Sequence, residues 1–292
     1  MTVPGSTVYR WSTLSLNASN RQNCASTQQN RTGRWLPLLA LPVSFGSVVT
    51  VNAATTTPAT VFVAVALATT QAEPPAAQSE LRAFESTYTV IWRGMTAGTS
   101  SFDLRHEVGG EWSYRSRNQP RGLFRLVPSA AVTLYSRMSV VGNAVRPLTF
   151  TATENDETQP KAQVHFDWEK NRATGTVEGA AIDMRLTSGV QDDLSVQIAL
   201  IHALALGQVP SGFSVFDKTG IRDYSYTRLG EETLHTPIGD VATVVYRSQR
   251  ANSSRSTRFW CAPKYGFVPM RAEQQRDTQI EWTMNIRTLR RD

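Results

Sequence analysis

From Phe84 onward, apolar and polar residues alternate with a period of two. Phe84, Ser86, Tyr88, Val90 and Trp92 share one face of a predicted strand, with Glu85, Thr87 and Thr89 opposite. Ala162, Val164, Phe166 and Trp168 alternate with Gln163, His165, Asp167 and Glu169. Ile280, Trp282, Met284 and Ile286 do the same with Glu281, Thr283, Asn285 and Arg287. Such alternation predicts strands with one face buried and one in water. Turn-forming residues separate the runs at Gly109-Gly110, Gly142-Asn143, Asn171-Arg172, Gly179, Asn252-Ser253 and Lys264-Tyr265-Gly266. Short strands punctuated in this way point to a mainly β fold: a curved antiparallel sheet, or an open or closed barrel, of about a dozen strands.

One segment departs from that period. Residues 192–206, from Asp192-Asp193 to Leu206, predict a helix with Gly207 as its stop. Two aspartates at its start favour the positive end of the helix dipole, and Gly207 suits the left-handed residue that ends many helices. Leu194, Ile198, Ile201 and Ala205 form one stripe, and Val196, Leu200 and Leu204 fill much of the remainder. A helix this apolar is buried on most sides, so it is expected to plug or cover the concave face of the sheet.

The chain before Phe84 has another character. An apolar run from Trp35 to Val51 ends in Val51-Asn52-Ala53, and a second, Val61 to Ala68, ends in Ala66-Leu67-Ala68. A basic flank, an apolar centre and a small-x-small end make a secretory signal, with cleavage after Ala53 or Ala68. Pro37, Pro42, Ser44, Gly46 and Ser47 interrupt the first run and the second is short, so neither reads as a membrane span. Residues 1–68 are therefore read as a leader, 69–83 as a Pro-rich disordered linker, and 84–289 as a single β domain. The expected location is the periplasm, with no transmembrane helix in the mature form.

Charge follows the same division. No Asp or Glu occurs between Met1 and Ala72, where the only charges are Arg10, Arg21, Arg31 and Arg34. Of the 30 basic residues, removing those four leaves 26 against 24 acidic ones. The whole-chain net charge of +6 thus belongs largely to the leader. It gives no ground for expecting nucleic acid as a partner. Cys24 falls in the leader and lacks the preceding apolar stretch of a lipidation site, which leaves Cys261 as the single thiol of the β domain.

Several landmarks occur in a fixed order. Tyr88-Thr89-Val90 is followed by Ala97-Gly98, Tyr114 and Ser116, then by Phe166-Asp167-Trp168 and Gln191-Asp192-Asp193-Leu194-Ser195. Tyr224, Gly230-Glu231-Glu232 and Thr236-Pro237-Ile238-Gly239 come next. Thr257-Arg258-Phe259-Trp260-Cys261-Ala262-Pro263 and Val268-Pro269-Met270-Arg271 complete the series. In this order the landmarks resemble the bacterial family catalogued as domain of unknown function 3108, across about residues 84–289. The resemblance implies an exported, mainly β protein and brings no established catalytic residues. In that family the position of Cys261 is usually aliphatic, which implies that Cys261 is a core residue and not a nucleophile.

No phosphate-binding glycine loop, metalloprotease motif or nucleophile elbow is present, and no cofactor or metal site is read from the sequence. His165 and Asp167 share a strand face and could form a base with its orienting carboxylate or half a metal site, but polar alternation predicts a solvated strand face there without help, and that is the reading taken. Asp192 and Asp193 stand about 15 Å of helix away from His202, too far for contact, and read as cap residues. His202 reads as a satisfied interior histidine. These carboxylates, with His165, would carry the alternative reading of an envelope hydrolase.

The aromatic residues give the leading expectation. Trp92, Phe166, Trp168, Phe259 and Trp260, with Leu194, Ile198 and Ile201 of the helix, would line a cavity between sheet and helix. That arrangement is similar to periplasmic lipoprotein carriers, in which a half-barrel has a helical covering. The expected function is a non-enzymatic periplasmic protein that binds or handles an apolar or lipidic envelope component. A structural or assembly role, with an envelope protein docked on an exposed strand edge, is the other alternative.

Overall fold

A strand with one apolar face hides that face only by packing it on something, and a long meander does so by curling around its own concave side. The structure, a computed structural model, describes residues 81–126, 131–154, 159–217 and 220–291. Eight strands come first: β1 (Phe84–Trp92), β2 (Met95–His106), β3 (Trp112–Pro120), β4 (Val132–Val141), β5 (Ala144–Glu154), β6 (Ala162–Asp167), β7 (Arg172–Val177) and β8 (Ala180–Arg185). Helix α1 (Ser195–Ala205) follows. The chain then forms β9 (Gly212–Asp217), β10 (Gly220–Thr236), β11 (Gly239–Arg250), β12 (Arg255–Ala262), β13 (Val268–Arg276) and β14 (Gln279–Arg291). Short 3-10 turns occupy Gly122–Leu126 and Pro263–Tyr265.

All fourteen strands belong to one antiparallel sheet in the order β8-β7-β6-β5-β4-β3-β2-β1-β14-β13-β12-β11-β10-β9. Two meanders, β1 to β8 and β9 to β14, meet where β1 pairs with β14. The sheet does not close, and β8 and β9 are its two edges. Register shifts interrupt the pairing at Thr87/Tyr88, Val90/Ile91, Arg137/Met138, Arg228/Gly230, Trp260/Cys261 and Gln274/Gln275. Such bulges add local twist and let a long sheet coil.

Cross-strand register carries the core across the sheet. Phe84 faces Leu104, Leu104 faces Tyr114, Tyr114 faces Ser136, Ser136 faces Phe150 and Phe150 faces Val164. Every member of this six-strand row is buried. The alternation predicted for β1 holds at Phe84, Ser86, Tyr88 and Val90, all buried. It fails at Ile280, which is 47% exposed, because the bulge opposite β13 breaks the phase before Trp282. The mainly β fold with one buried helix is as expected, with fourteen strands where about a dozen were counted.

Helix α1 lies within the concavity, and ten of its eleven residues are buried. It packs against β4 and β5, where Ser136 and Ala152 are small and buried. Its N-terminus is fixed by a reciprocal cap. Asp192 Oδ1 accepts the Leu194 and Ser195 N–H groups at 2.8 Å each, and Ser195 Oγ accepts the Asp192 N–H at 2.8 Å. Ser136 Oγ of β4 donates to Asp192 Oδ2 at 2.6 Å, which fastens the cap to the sheet. At the other end Gly207, at φ 71, allows the Gln208 N–H to reach the Ala203 carbonyl and the Gly207 N–H to reach that of Leu204. These two bonds make a Schellman stop, in which a left-handed residue is required.

The predicted leader (1–68), both cleavage points and the linker as far as residue 80 lie outside the described residues. Within the helix, His202 is buried at 6% exposure. Burial pushes its pKa below the usual histidine value, and a hydrogen bond with the Gly142 backbone opposes that shift.

Two outcomes test this arrangement. Burial pushes the Asp192 carboxyl from its ordinary value of 3.8 up to about 6, with the donated hydrogen bonds opposing the shift. The folded state therefore holds that proton more tightly than the unfolded chain does. The group's contribution to stability is full below about pH 4, falls as pH rises to about 6, and is flat above. Asp192→Asn keeps the acceptor for the cap and removes the charge. Between pH 4 and pH 7.5 it should gain roughly 2–3 kcal/mol relative to wild type in urea unfolding. A difference independent of pH, or one that grows toward acid, would refute the assignment. Ile198→Ala should cost roughly 2–5 kcal/mol, because Ile198 is fully enclosed and the sheet cannot collapse onto the void. A cost below 1 kcal/mol would mean that α1 is not packed as described.

Candidate functional site

The seam between the β9 edge and the first meander is where chain, helix and sheet meet. The Gln191 N–H donates to the Ser214 carbonyl at 2.8 Å, and the Phe216 N–H donates to the Gln191 carbonyl at 2.7 Å. Gln191 thereby forms an isolated parallel bridge with β9 at Val215. Its side-chain Nε2 donates to the Val145 carbonyl of β5 at 2.8 Å. One buried residue thus ties the β9 edge to the first meander. Phe166 of β6 meets Phe216 of β9 edge-to-face, with ring centroids 6.1 Å apart, and closes the gap further.

The eight residues expected to line a ligand cavity fall in several places. Leu194, Ile198 and Ile201 are enclosed in the core with Phe166. Phe259 stacks on Tyr226, with centroids 6.4 Å apart. Trp260 follows it directly in β12 and projects to the opposite face. There its indole lies between the Arg258 and Arg271 guanidiniums, 5.5 and 4.8 Å from the ring centroid, and its N–H donates to Glu232 at 2.6 Å. Trp168 is partly buried and donates to the Pro147 carbonyl at 2.7 Å. Trp92 meets Phe124 edge-to-face at 5.9 Å, and Arg93 covers its ring.

Among the described residues three enclosed spaces are small. Val132, Leu134, Phe150, Ala162, Asp193 and Phe216 line a cavity of about 30 Å³ near the seam. Two others hold about 10 Å³ each. A water molecule takes up about 30 Å³ of liquid, so none of these encloses a lipid while α1 is seated. A larger depression of about 570 Å³ is an open surface groove over β9 and β10, bordered by Phe213, Asp223 and Tyr224.

The residues of the hydrolase alternative do not form one group. His165 lies on the exposed face of β6, where Asp167 is partly exposed. Asp167 accepts a hydrogen bond from Lys170 Nζ at 2.8 Å, and this holds its pKa below the ordinary carboxylate value. Asp192 is fully buried and engaged as the helix cap. Asp193 borders the small seam cavity. Among the described residues no three His, Cys, Asp or Glu side chains come close enough to hold a metal ion. Cys261 is a free thiol at 0% exposure, and burial pushes its pKa up to about 12. A thiol so placed is a packing residue, not a nucleophile.

Sequence reasoning missed three features. Gln191 was read only as a landmark, since nothing in a single glutamine announces a seam. Glu273, at 2% exposure, pairs with Arg258 and with Arg271 (2.7 Å), and the sequence shows only a charge within a strand. The third feature is the asymmetry of the edges. β9 receives Gln191, whereas β8 receives no strand on its outer side among the described residues. The charged and small residues of β8 (Ala180, Ala181, Asp183 and Arg185) are the signal that could have marked an edge.

Among the described residues no helix is long and apolar enough to cross a membrane. Comparison with curated proteins finds no match. Among solved structures, the chain is similar to a β-barrel-like protein of domain of unknown function DUF1849 from Brucella abortus. The TM-score is 0.48 and the identity 9%, covering 72% of this chain and 98% of that one. A Pseudomonas aeruginosa MucA/MucB complex matches at TM-score 0.34 and 11% identity, covering 72% of this chain and 52% of that one. A Bacteroides fragilis protein described as exported, with a YmcC-like fold, matches at TM-score 0.28 and 10% identity, covering 72% and 94%. The model of the family described as protein of unknown function (DUF3108) matches residues 87–284, well over half of the chain, and the chain belongs to that family.

Proposed function

We propose that this is an exported, non-enzymatic protein of the bacterial envelope that works by binding another envelope component, and that its β8 edge receives an extended segment of a partner protein. The leader read from residues 1–68 supports export. The observation that carries the binding reading is the unequal treatment of the two sheet edges: β9 is bridged by the chain's own Gln191, and β8 pairs with no further strand among the described residues. An open edge offers a row of backbone donors and acceptors, and strand addition is a common way to use one. Ile182 and Met184 pack toward the core, so β8 is held in place and ready to template a neighbour. The two-residue turn at Glu178-Gly179, with both φ angles positive, makes Val177 and Ala180 the hydrogen-bonded pair that flanks it. By alternation, the N–H groups of Ala181, Asp183 and Arg185 then point outward.

A second reading is favoured by one other observation. Helix α1 is apolar nearly all round and fills the place that an apolar ligand would take. Lipid or another apolar component would enter the interior only if the helix withdrew, because the enclosed volumes are too small otherwise.

The edge reading is tested in cells with a photoreactive amino acid at Asp183. A discrete crosslinked protein should form, and Ala181→Pro should abolish it while lowering the melting temperature by only a few degrees, since the proline removes an outward N–H and not a ladder bond. No adduct, or an adduct that survives Ala181→Pro, would sink the proposal. Native mass spectrometry of the same preparation separates the second reading, which expects an apolar adduct released on denaturation.

A further inference from the structure

The turn after β3 puts apolar side chains into water, although its frame is fixed to the sheet. The Arg121 N–H donates to the Ala97 carbonyl of β2 at 2.8 Å, and the Phe124 N–H returns to the Arg121 carbonyl at 3.1 Å. Phe124 is the peg, with its ring edge-to-face on Trp92 of β1. A 3-10 turn repeats every three residues, so Leu123 and Leu126 fall on one side of Gly122–Leu126. They are 81% and 80% exposed.

The neighbouring hairpin adds to the same rim. Arg93 and Gly94, both at positive φ, make the two-residue turn between β1 and β2, and Met95 follows it at 53% exposure. Trp92 faces Met95 across this hairpin and meets Phe124 of the other turn, so the two turns share one aromatic support. The Arg93 N–H also donates to the Glu281 carbonyl at 3.1 Å, which brings in the exposed Ile280 that precedes Glu281.

The charge around these apolar residues is biased to one sign. Arg93, Arg121 and Arg125 are exposed. From Trp112 to Thr153 the sequence contains six arginines and no Asp, Glu or Lys, and this stretch includes the Val-Pro-Ser-Ala of positions 127–130. The Glu281 carboxylate is engaged by Arg255 and Arg276, and Asp277 stands at the next hairpin, between β13 and β14. Exposed leucines on a pinned turn, flanked by guanidiniums, are not explained by packing within the chain.

We infer that this rim is an interfacial anchor for an anionic membrane surface. Leu123, Leu126 and Met95 enter the head-group layer, and Arg93, Arg121 and Arg125 meet lipid phosphates, for which the planar guanidinium fork is suited. The leucines stand out from the sheet and enclose no groove. They therefore suit a lipid layer that yields around them better than a second folded surface, which needs a complementary shape. Pegging by Phe124 orders the turn beforehand, so little chain entropy is lost on contact. The anchor goes beyond the β8 edge, is built from other strands, and leaves α1 in its place.

The full chain tests this with one reporter dye at a time. Leu123→Cys in a Cys24→Ser background takes an environment-sensitive nitrobenzoxadiazole label, and the buried Cys261 stays unlabelled. On vesicles of equal parts phosphatidylethanolamine and phosphatidylglycerol, emission should shift to the blue and be quenched by nitroxide-bearing lipid. The response should fall about fivefold or more on phosphatidylcholine vesicles, and equally in Arg121→Gln/Arg125→Gln or Leu126→Ser on the anionic ones. Val108→Cys, fully exposed on the turn between β2 and β3 at the other end of the sheet, should report water throughout. That control also removes attachment through the leader, which would carry every dye to the lipid alike. All altered side chains other than the leader's Cys24 are exposed, so melting temperatures should agree within a few degrees. No shift at position 123 on anionic vesicles overturns the anchor, as does an equal shift at position 108. An equal response to phosphatidylcholine, or one that survives the arginine substitutions, overturns it too. Ala181→Pro should leave the response intact, so failure here and failure of the edge reading are told apart.

Discussion

An apolar helix inside an open sheet is stable only if both of its ends are satisfied and the sheet is held around it. That constraint rests on two adjacent residues. Gln191 ties the β9 edge to β5, and Asp192 caps α1 while accepting a hydrogen bond from Ser136 of β4. Without the first, the two meanders are joined, among the described residues, at the β1–β14 pairing and by side-chain packing such as Phe166 on Phe216. Without the second, three donors are left inside a dry interior, where each lost partner costs about 1–3 kcal/mol. The aspartate brings a cost of its own, since its charge is sealed from water with no cation beside it. The hydrogen bonds offset that cost only in part, which is why its carboxyl titrates so far above the ordinary range.

The same constraint explains the composition of the inner face. A sheet packed on itself would be expected to use large apolar residues throughout. Here Ser136 of β4 and Ala152 of β5 stand on the strands that α1 packs against, and they give up buried hydrocarbon in return for its close approach. A core built in this way has given up part of its stability to keep the helix inside, and this sets it apart from a barrel filled by side chains alone.

Much of this was legible in the sequence, because the signals are local. Alternation in β1 and the apolar stretch of α1 each state how one element sits. Gly207 and Asp192 state where that helix stops and starts, through the left-handed φ and the side-chain acceptor that such ends require. What was not legible is what depends on register across the sheet. Phe259 and Trp260 look alike as neighbouring aromatics, yet strand geometry sends one to the stacked ring of Tyr226 and the other between two arginines. Ile280 continues the apolar phase of its strand on paper, and a bulge opposite β13 puts it in water. The bond from Gln191 to the Val145 carbonyl joins residues 46 positions apart, beyond the reach of any local sequence signal.

The filled interior also bears on how such a protein could act. In a ligand carrier built on a curved sheet, the concavity is the working part and the rim is scaffold. With α1 seated the roles are exchanged: the concavity is scaffold, and a partner would have to meet the sheet from outside. An edge recognises backbone and is indifferent to most side chains. The β8 edge is tied to the helix, since β8 leads into the α1 cap. Withdrawal of α1 would therefore disturb it, so a protein that used that edge would gain by keeping its helix where it is.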